Sequence, residues 1–176
     1  AKYPSESSYG LATIYYRTDN PFSSIDSASK YIAISINTFK DTATYSLYHI
    51  NKESISHLAN TISVKGFEKY CSNNSVENLN HFLTHFYFAS SELLEKCYLQ
   101  RDAIELTIAL SSQSSSVVSD FLLQYPQSSL FQKAKKLFFD YQFFEQTPQK
   151  SIQQYQTFIK KFPNNPNISF AETNLY

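Results

Sequence analysis

Phe158-Ile159-Lys160-Lys161-Phe162-Pro163 places an aromatic, an aliphatic neighbour and a second aromatic four residues after the first, and then stops at a proline. Residues four apart lie on one face of a helix, and proline cannot continue one, so the stretch reads as the end of a helix with an aromatic face. Phe121-Leu122-Leu123-Gln124-Tyr125-Pro126 repeats the pattern, and Phe82-Leu83-Thr84-His85-Phe86-Tyr87 repeats it without the proline; the spacings are 39 and 37 residues. A helical unit recurring every 34 to 45 residues, roughly, is a hairpin that cannot bury its apolar face alone and stacks on its neighbours. The fold class that follows is all-α, a helical-hairpin solenoid.

Working outward, helices are expected near 5–16, 27–39, 52–72, 75–88, 91–111, 115–125, 129–145 and 148–162, with another starting near 168. One domain over 1–176 is expected: an N-terminal hairpin (1–39), an irregular connection (40–51), three hairpins (52–163) and the start of a further helix (164–176). The opening Tyr3-Pro4 has the form of another unit's tail. Thr147 before Pro148 suggests a cap followed by proline in the first turn, and Asn74 with Glu77 has capping-box spacing. Tyr31-Ile32-Ala33-Ile34-Ser35-Ile36 alternates like a strand, but Ala28, Ile32, Ser35, Ile36 and Phe39 also share a helical face. A lone strand would have no partner, so helix is expected.

Composition removes several function classes. Fifteen Lys and Arg balance fifteen Asp and Glu, so no whole-chain basic field recruits nucleic acid. The two glycines, Gly10 and Gly66, are too few for phosphate-cradling or dinucleotide loops, and turns are too sparse for a β-sandwich. No run approaches the roughly 18 to 20 apolar residues of a membrane span. The start Ala1-Lys2-Tyr3-Pro4 lacks an initiator Met and a leader, which reads as a processed or excised chain. Cys71 and Cys97 are too few for a disulfide scaffold and, by the repeat alignment, lie at different levels of neighbouring helices, so they read as buried thiols.

These repeats resemble the tetratricopeptide superfamily, in particular the envelope subtype whose second helix ends in a Phe-Leu-Lys-Lys-Tyr-Pro-Asn-Ser type of tail. Phe158 to Asn165 is one copy and Phe121 to Ser128 another; Leu11-Ala12 with Tyr15 resembles the first-helix signature, and Ala28 the small residue of the second helix. Tyr9-Gly10-Leu11-Ala12-Thr13-Ile14-Tyr15-Tyr16, Asn20-Pro21-Phe22 and Asp26-Ser27-Ala28 with Tyr31-Ile32 resemble the N-terminal regions of OmpA-like, propeller-containing envelope proteins of Bacteroidetes type. The resemblance implies a right-handed superhelix, a non-catalytic protein-binding scaffold and a periplasmic or outer-membrane-associated location. It departs from the pattern where Phe139 stands in place of a small residue and where the 75–88 helix lacks its proline.

Chemistry-bearing patterns are sparse. His81 and His85 share a helix face, but no Glu follows His81 and no third ligand is near in sequence, so a packed pair is expected rather than a metal site. The serines at 111–116, without a Gly-x-Ser-x-Gly elbow, read as a loop and cap. No cofactor, metal or catalytic set is expected. The 29 Phe and Tyr residues exceed an ordinary core; Phe138, Phe144, Tyr155 and Phe158 are expected to pack between helices, while some tyrosines line a binding groove. Charge is segregated, with seven acids against three cations over 68–120 and six lysines against two acids over 129–163. The candidate partner-binding residues are therefore Glu95, Tyr98, Asp102 and Glu105 on one helix, and Lys133, Lys136 and Asp140 on another, as the two walls of a bipolar groove. An aromatic-lined pocket for a small ligand is the competing function.

Overall fold

The computed structural model describes residues 4–40 and 50–175; Tyr3 and nearly all of the expected connection at 40–51 lie outside them. Among the described residues the chain is all-helical: α1 (Pro4–Tyr16), α2 (Ile25–Thr38), α3 (Lys52–Tyr70), α4 (Val76–His85), α5 (Ser91–Ser111), α6 (Ser115–Gln124), α7 (Phe131–Gln146), α8 (Ile152–Lys161) and α9 (Ile168–Thr173). Residues 31–36 lie within α2, where Ala28, Ile32 and Ser35 are buried at helical spacing. The chain divides into two compact units, Ala1–Arg101 and Asp102–Tyr176.

In the first unit α1 and α2 form an antiparallel hairpin whose interface is made of small residues. Ser5, Ser8 and Ala12 on α1 and Ala28, Ser29 and Ser35 on α2 are all buried. Two of the polar members satisfy each other: the Ser5 hydroxyl donates to the Ser35 carbonyl at 3.0 Å and the Ser35 hydroxyl to the Ser5 carbonyl at 3.0 Å. Tyr15 stacks on Tyr31 near the connection, with centroids 5.6 Å apart. Burying hydroxyls without partners would be costly, so the paired arrangement lets this interface be both tight and polar. On α3, Gly66 faces the Phe86 ring so closely that an added Cβ would sit 2.3 Å from Phe86 Cε1.

The second unit has two apolar clusters. Val118, Phe121 and Tyr125 of α6 and its C-cap pack with Leu106, Ala109 and Ala134, and Tyr155 and Phe158 of α8 pack with Phe143 and Ala171. Phe143 meets Phe158 edge to face, centroids 5.0 Å apart. The small residue buried on α7 is Ala134; Phe139 is half-buried and does not take that place.

The three aromatic segments are copies in structure as well as in sequence. Phe82, Phe121 and Phe158 are all buried, on α4, α6 and α8. Four residues on, Phe86, Tyr125 and Phe162 are the C-caps, each donating its backbone N–H to the carbonyl of the first aromatic. Ser75, Ser114 and Ser151 are the N-caps, and immediately before each stands a residue in the left-handed region: Asn74 (φ 49°), Gln113 (φ 51°) and Lys150 (φ 51°). The unit is thus a left-handed residue, a serine cap, and aromatics seven and eleven residues after the serine.

Several expectations are corrected. The cap of α4 is Ser75 and not Asn74, whose positive φ turns the chain; its hydroxyl accepts from the Asn78 N–H at 3.3 Å. Thr147 closes α7 and does not open α8, because its N–H and hydroxyl both bond the Phe143 carbonyl, at 3.0 and 2.8 Å; α8 accordingly begins at Ile152. Helix α4 stops at His85, short of 88, once Phe86 leaves helical geometry. Phe144, expected in the core, is 61% exposed. The two cysteines are buried free thiols, but they are level with one another, their sulfurs 3.4 Å apart.

Removing a buried aromatic of the repeat, Phe158→Ala, is expected to cost about 3 to 5 kcal/mol. Urea denaturation measures this, and a loss under about 1 kcal/mol would place the ring in solvent. The two glycines should respond with opposite signs. Gly66→Ala destabilises by roughly 1 to 3 kcal/mol because the new methyl meets the stacked Phe86 ring, although alanine is the better helix former. At Gly10, nothing lies within 4 Å of an added Cβ. Gly10→Ala is therefore expected to stabilise by about 0.5 to 1 kcal/mol, and equal signs for the two would contradict the assigned packing.

Candidate functional site

A polar constellation in the first unit is centred on Asp26, in the first turn of α2. The Tyr70 hydroxyl donates to both carboxylate oxygens, at 2.6 and 2.7 Å; Lys69 Nζ is at 3.1 Å and His81 Nε2 at 3.0 Å. Tyr70 and Lys69 come from the end of α3 and His81 from α4, so one carboxylate ties three helices. His85 stacks on His81 with ring centroids 4.1 Å apart, and its Nδ1 is 3.0 Å from the His81 carbonyl, so the two rings pack on each other as expected, His81 half-buried and His85 exposed. The buried Ser29 hydroxyl donates to the His85 carbonyl at 2.5 Å, adding a second tie from α2 to α4.

Burial pushes the Asp26 carboxyl pKa up, but the bonds from Tyr70, His81 and Lys69 outweigh it and leave it below its ordinary value. Burial, and then the bond to Asp26, raise Tyr70 above its ordinary value, so the phenol stays protonated and serves as donor. The acid is held by both the imidazole and the phenol, which come from different helices. The cluster acts as a polar clasp. Beside it opens a cleft of about 520 Å³ lined by Tyr15, Tyr16, Arg17, Lys65 and Lys69. The cations there are paired, Arg17 with Asp19, Lys65 with Glu68 and Lys69 with Asp26. Among the described residues no three His, Cys, Asp or Glu side chains converge as metal ligands, and no helix is long and apolar enough to cross a membrane.

The seven residues named from sequence have different fates. Glu95 and Tyr98, in the first unit, are exposed, and the Arg101 guanidinium lies 5.1 Å from the centre of the Tyr98 ring. In the second unit Lys133 and Lys136 are exposed on α7. Asp102 is not a surface charge: it is 3% exposed. Glu105 is half-buried and accepts from the Tyr125 hydroxyl at 3.2 Å. Asp140 is half-buried and accepts from Asn167 Nδ2 at 3.0 Å. Asn165, buried in the Pro-Asn tail after α8, donates to the Phe139 carbonyl at 3.1 Å and to Gln142 Oε1 at 3.0 Å, so that loop docks on α7. Three of the seven therefore have structural work, and the exposed set reduces to Glu95, Tyr98, Lys133 and Lys136. Sequence reasoning missed Asp26, Lys69, Tyr70 and Asn165; the only advance signal at the clasp was the His81/His85 spacing.

Comparison with models of protein families, with curated proteins and with solved structures finds no match to this chain.

The clasp has a pH signature. Because the folded Asp26 pKa is lowered, its contribution is complete above the ordinary carboxylate range near about 4 and is lost as pH falls through the folded value. Asp26→Asn should cost the first unit on the order of 1 kcal/mol at pH 7, a small figure because water screens a side chain that is 38% exposed. The variant should also lose less stability than the parent between pH 5 and pH 3, roughly the span of carboxylate titration. Urea denaturation at both pH values checks this; parallel losses would show that Asp26 does not carry the acid response.

Proposed function

We propose that this chain is a non-catalytic interaction scaffold of tetratricopeptide-like repeats, its hairpins stacked as a right-handed solenoid, within a periplasmic or outer-membrane-associated protein that binds a protein or peptide partner. The observation that carries this reading is the three-copy unit of left-handed residue, serine cap, buried aromatic and aromatic C-cap. A chain that builds the same short helix three times is organised for stacking, and stacked helical hairpins offer extended surfaces for protein recognition. The envelope setting rests on the resemblance of the N-terminal segments and of the Pro-Asn-Asn tail.

Exposed side chains of suitable type support the binding role. Tyr98, 45% exposed, presents a large aromatic with a polar tip, and Leu99 is exposed beside it. Lys133 and Lys136 give α7 a basic edge that favours an acidic partner segment. The alternative, a small-ligand receptor, is favoured by one observation, the tyrosine-lined cleft beside Lys65 and Lys69. Its cations are already paired, so a ligand there would have to displace those partners.

Affinity capture from an envelope extract, followed by binding kinetics with the recovered protein, tests the scaffold reading. Tyr98→Ala is expected to speed dissociation by about tenfold or more, as for an aromatic anchor. Lys133→Glu with Lys136→Glu should mainly slow association, and the effect should shrink with salt as the Debye length falls from about 10 Å at 0.1 M to about 3 Å at 1 M. Unchanged rates in all these variants would remove the assigned surface. Saturable binding of a small anion lost in Lys65→Ala, with no protein captured, would transfer the function to the cleft.

A further inference from the structure

Cys71 and Cys97 are far enough apart in sequence that their contact is a property of the fold. Cys71 is the C-cap of α3, and Cys97 lies two turns into α5; the sulfurs are 3.4 Å apart. The surrounding hydrogen bonds hold both backbones. The Cys71 N–H donates to the Phe67 carbonyl at 2.8 Å, and Gln100, one turn after Cys97, donates through Nε2 to the Cys71 carbonyl at 3.0 Å and also to Asn74 Oδ1. The first unit thus presents two thiols already in contact, on elements fixed to each other by a bond one turn away.

We propose that Cys71 and Cys97 are a modification site that closes to an intramolecular disulfide, with a low-molecular-weight or protein disulfide as the oxidant, stapling the end of α3 to α5. Cys71 is 5% exposed and Cys97 fully buried, so Cys71 is the thiol an external disulfide reaches first. After losing its proton to solvent, the Cys71 sulfur attacks one sulfur of the oxidant and releases the other as a thiol, leaving a mixed disulfide. Cys97 then gives up its proton and attacks the Cys71 sulfur, and the second thiol departs. Two protein thiols are oxidised, and the oxidant's one disulfide is reduced to two thiols. Burial raises the pKa of both cysteines. The reduced pair is therefore protonated at neutral pH and inert to casual alkylation, while its proximity favours ring closure once the mixed disulfide forms.

The bridge encloses all of α4, since its ends are 26 positions apart. Removing that loop's freedom from the unfolded chain should reduce the unfolding equilibrium constant by on the order of a hundredfold and raise the thermal midpoint by roughly 5 to 15 °C.

The test incubates the chain with graded ratios of oxidised to reduced glutathione, then quenches, denatures, alkylates and weighs it. The expected end point is a species lacking two hydrogens, carrying neither alkyl groups nor glutathione, whose midpoint rises as stated and returns on reduction. In Cys97→Ser the reaction should stop at a glutathione adduct on Cys71, whereas Cys71→Ser should be modified at least tenfold more slowly. Two alkylated cysteines, glutathione adducts as the final product of the parent chain, or a bridged form that melts no higher would each overturn the proposal.

Discussion

A helix of ten residues does not hold itself together in water, because nucleation is costly and too few bonds follow it. Helices α4, α6 and α8 each have ten residues. What holds them is the aromatic pair at their ends. The first aromatic is buried against neighbouring helices; the second packs on the first, with centroids 5.1 Å apart for Phe82 and Phe86, 5.2 Å for Phe121 and Tyr125, and 5.5 Å for Phe158 and Phe162. The second residue also closes the last turn through its N–H, while its own ψ, between 34° and 59°, takes the chain out of the helix. Packing and termination are therefore one event. Proline is not required for the stop: α4 ends at the same place although Tyr87 stands where Pro126 and Pro163 stand in the other copies.

The aromatic spacing made the existence and order of the helices legible, and α3, α5, α6 and α9 start where the sequence places them. The starts of α4 and α8 were not legible, because there, unlike at α6, a nearby residue imitates a cap. The residue that turns the chain into each short helix has φ near 50°, a conformation in which asparagine is tolerated and glutamine and lysine are not favoured. Asn74 and Gln113 are carboxamides and Lys150 is a cation, and only the asparagine is of a type that favours this conformation, so the position leaves little mark in the sequence. Asn74 and Thr147 instead look like caps, and they drew the expected boundaries one and four residues early.

The charged residues show a different limit. Helical spacing identifies which side chains share a face but not whether that face looks inward. Asp102 shares its stripe with Glu95 and Tyr98, yet it also stands four residues before Leu106 and seven before Ala109, both buried, and it goes with them. That second pattern was present in the sequence and outweighs the charge. Beyond the His81/His85 spacing, the Asp26 clasp was not legible, since its members are spread from 26 to 81 on three helices and only the fold brings them together.

In the first unit the apolar repeat and the polar clasp form one linked arrangement. Phe86 fills the space left by the missing side chain of Gly66, stacks on Phe82 and touches Tyr70, whose ring centroid is 6.0 Å away. Tyr70 in turn fixes Asp26, and Asp26 fixes His81 on the same helix as Phe82. A group that displaced Phe86 would therefore disturb the carboxylate, and a group that took Asp26 would free the aromatic cap. Tyr70 remains a protonated donor and Asp26 an ionised acceptor, so both carboxylate oxygens are engaged within the fold near neutral pH. Tyr98 stands outside this ring of contacts, 45% exposed on the long helix α5, so a change there is expected to leave the core beneath it intact.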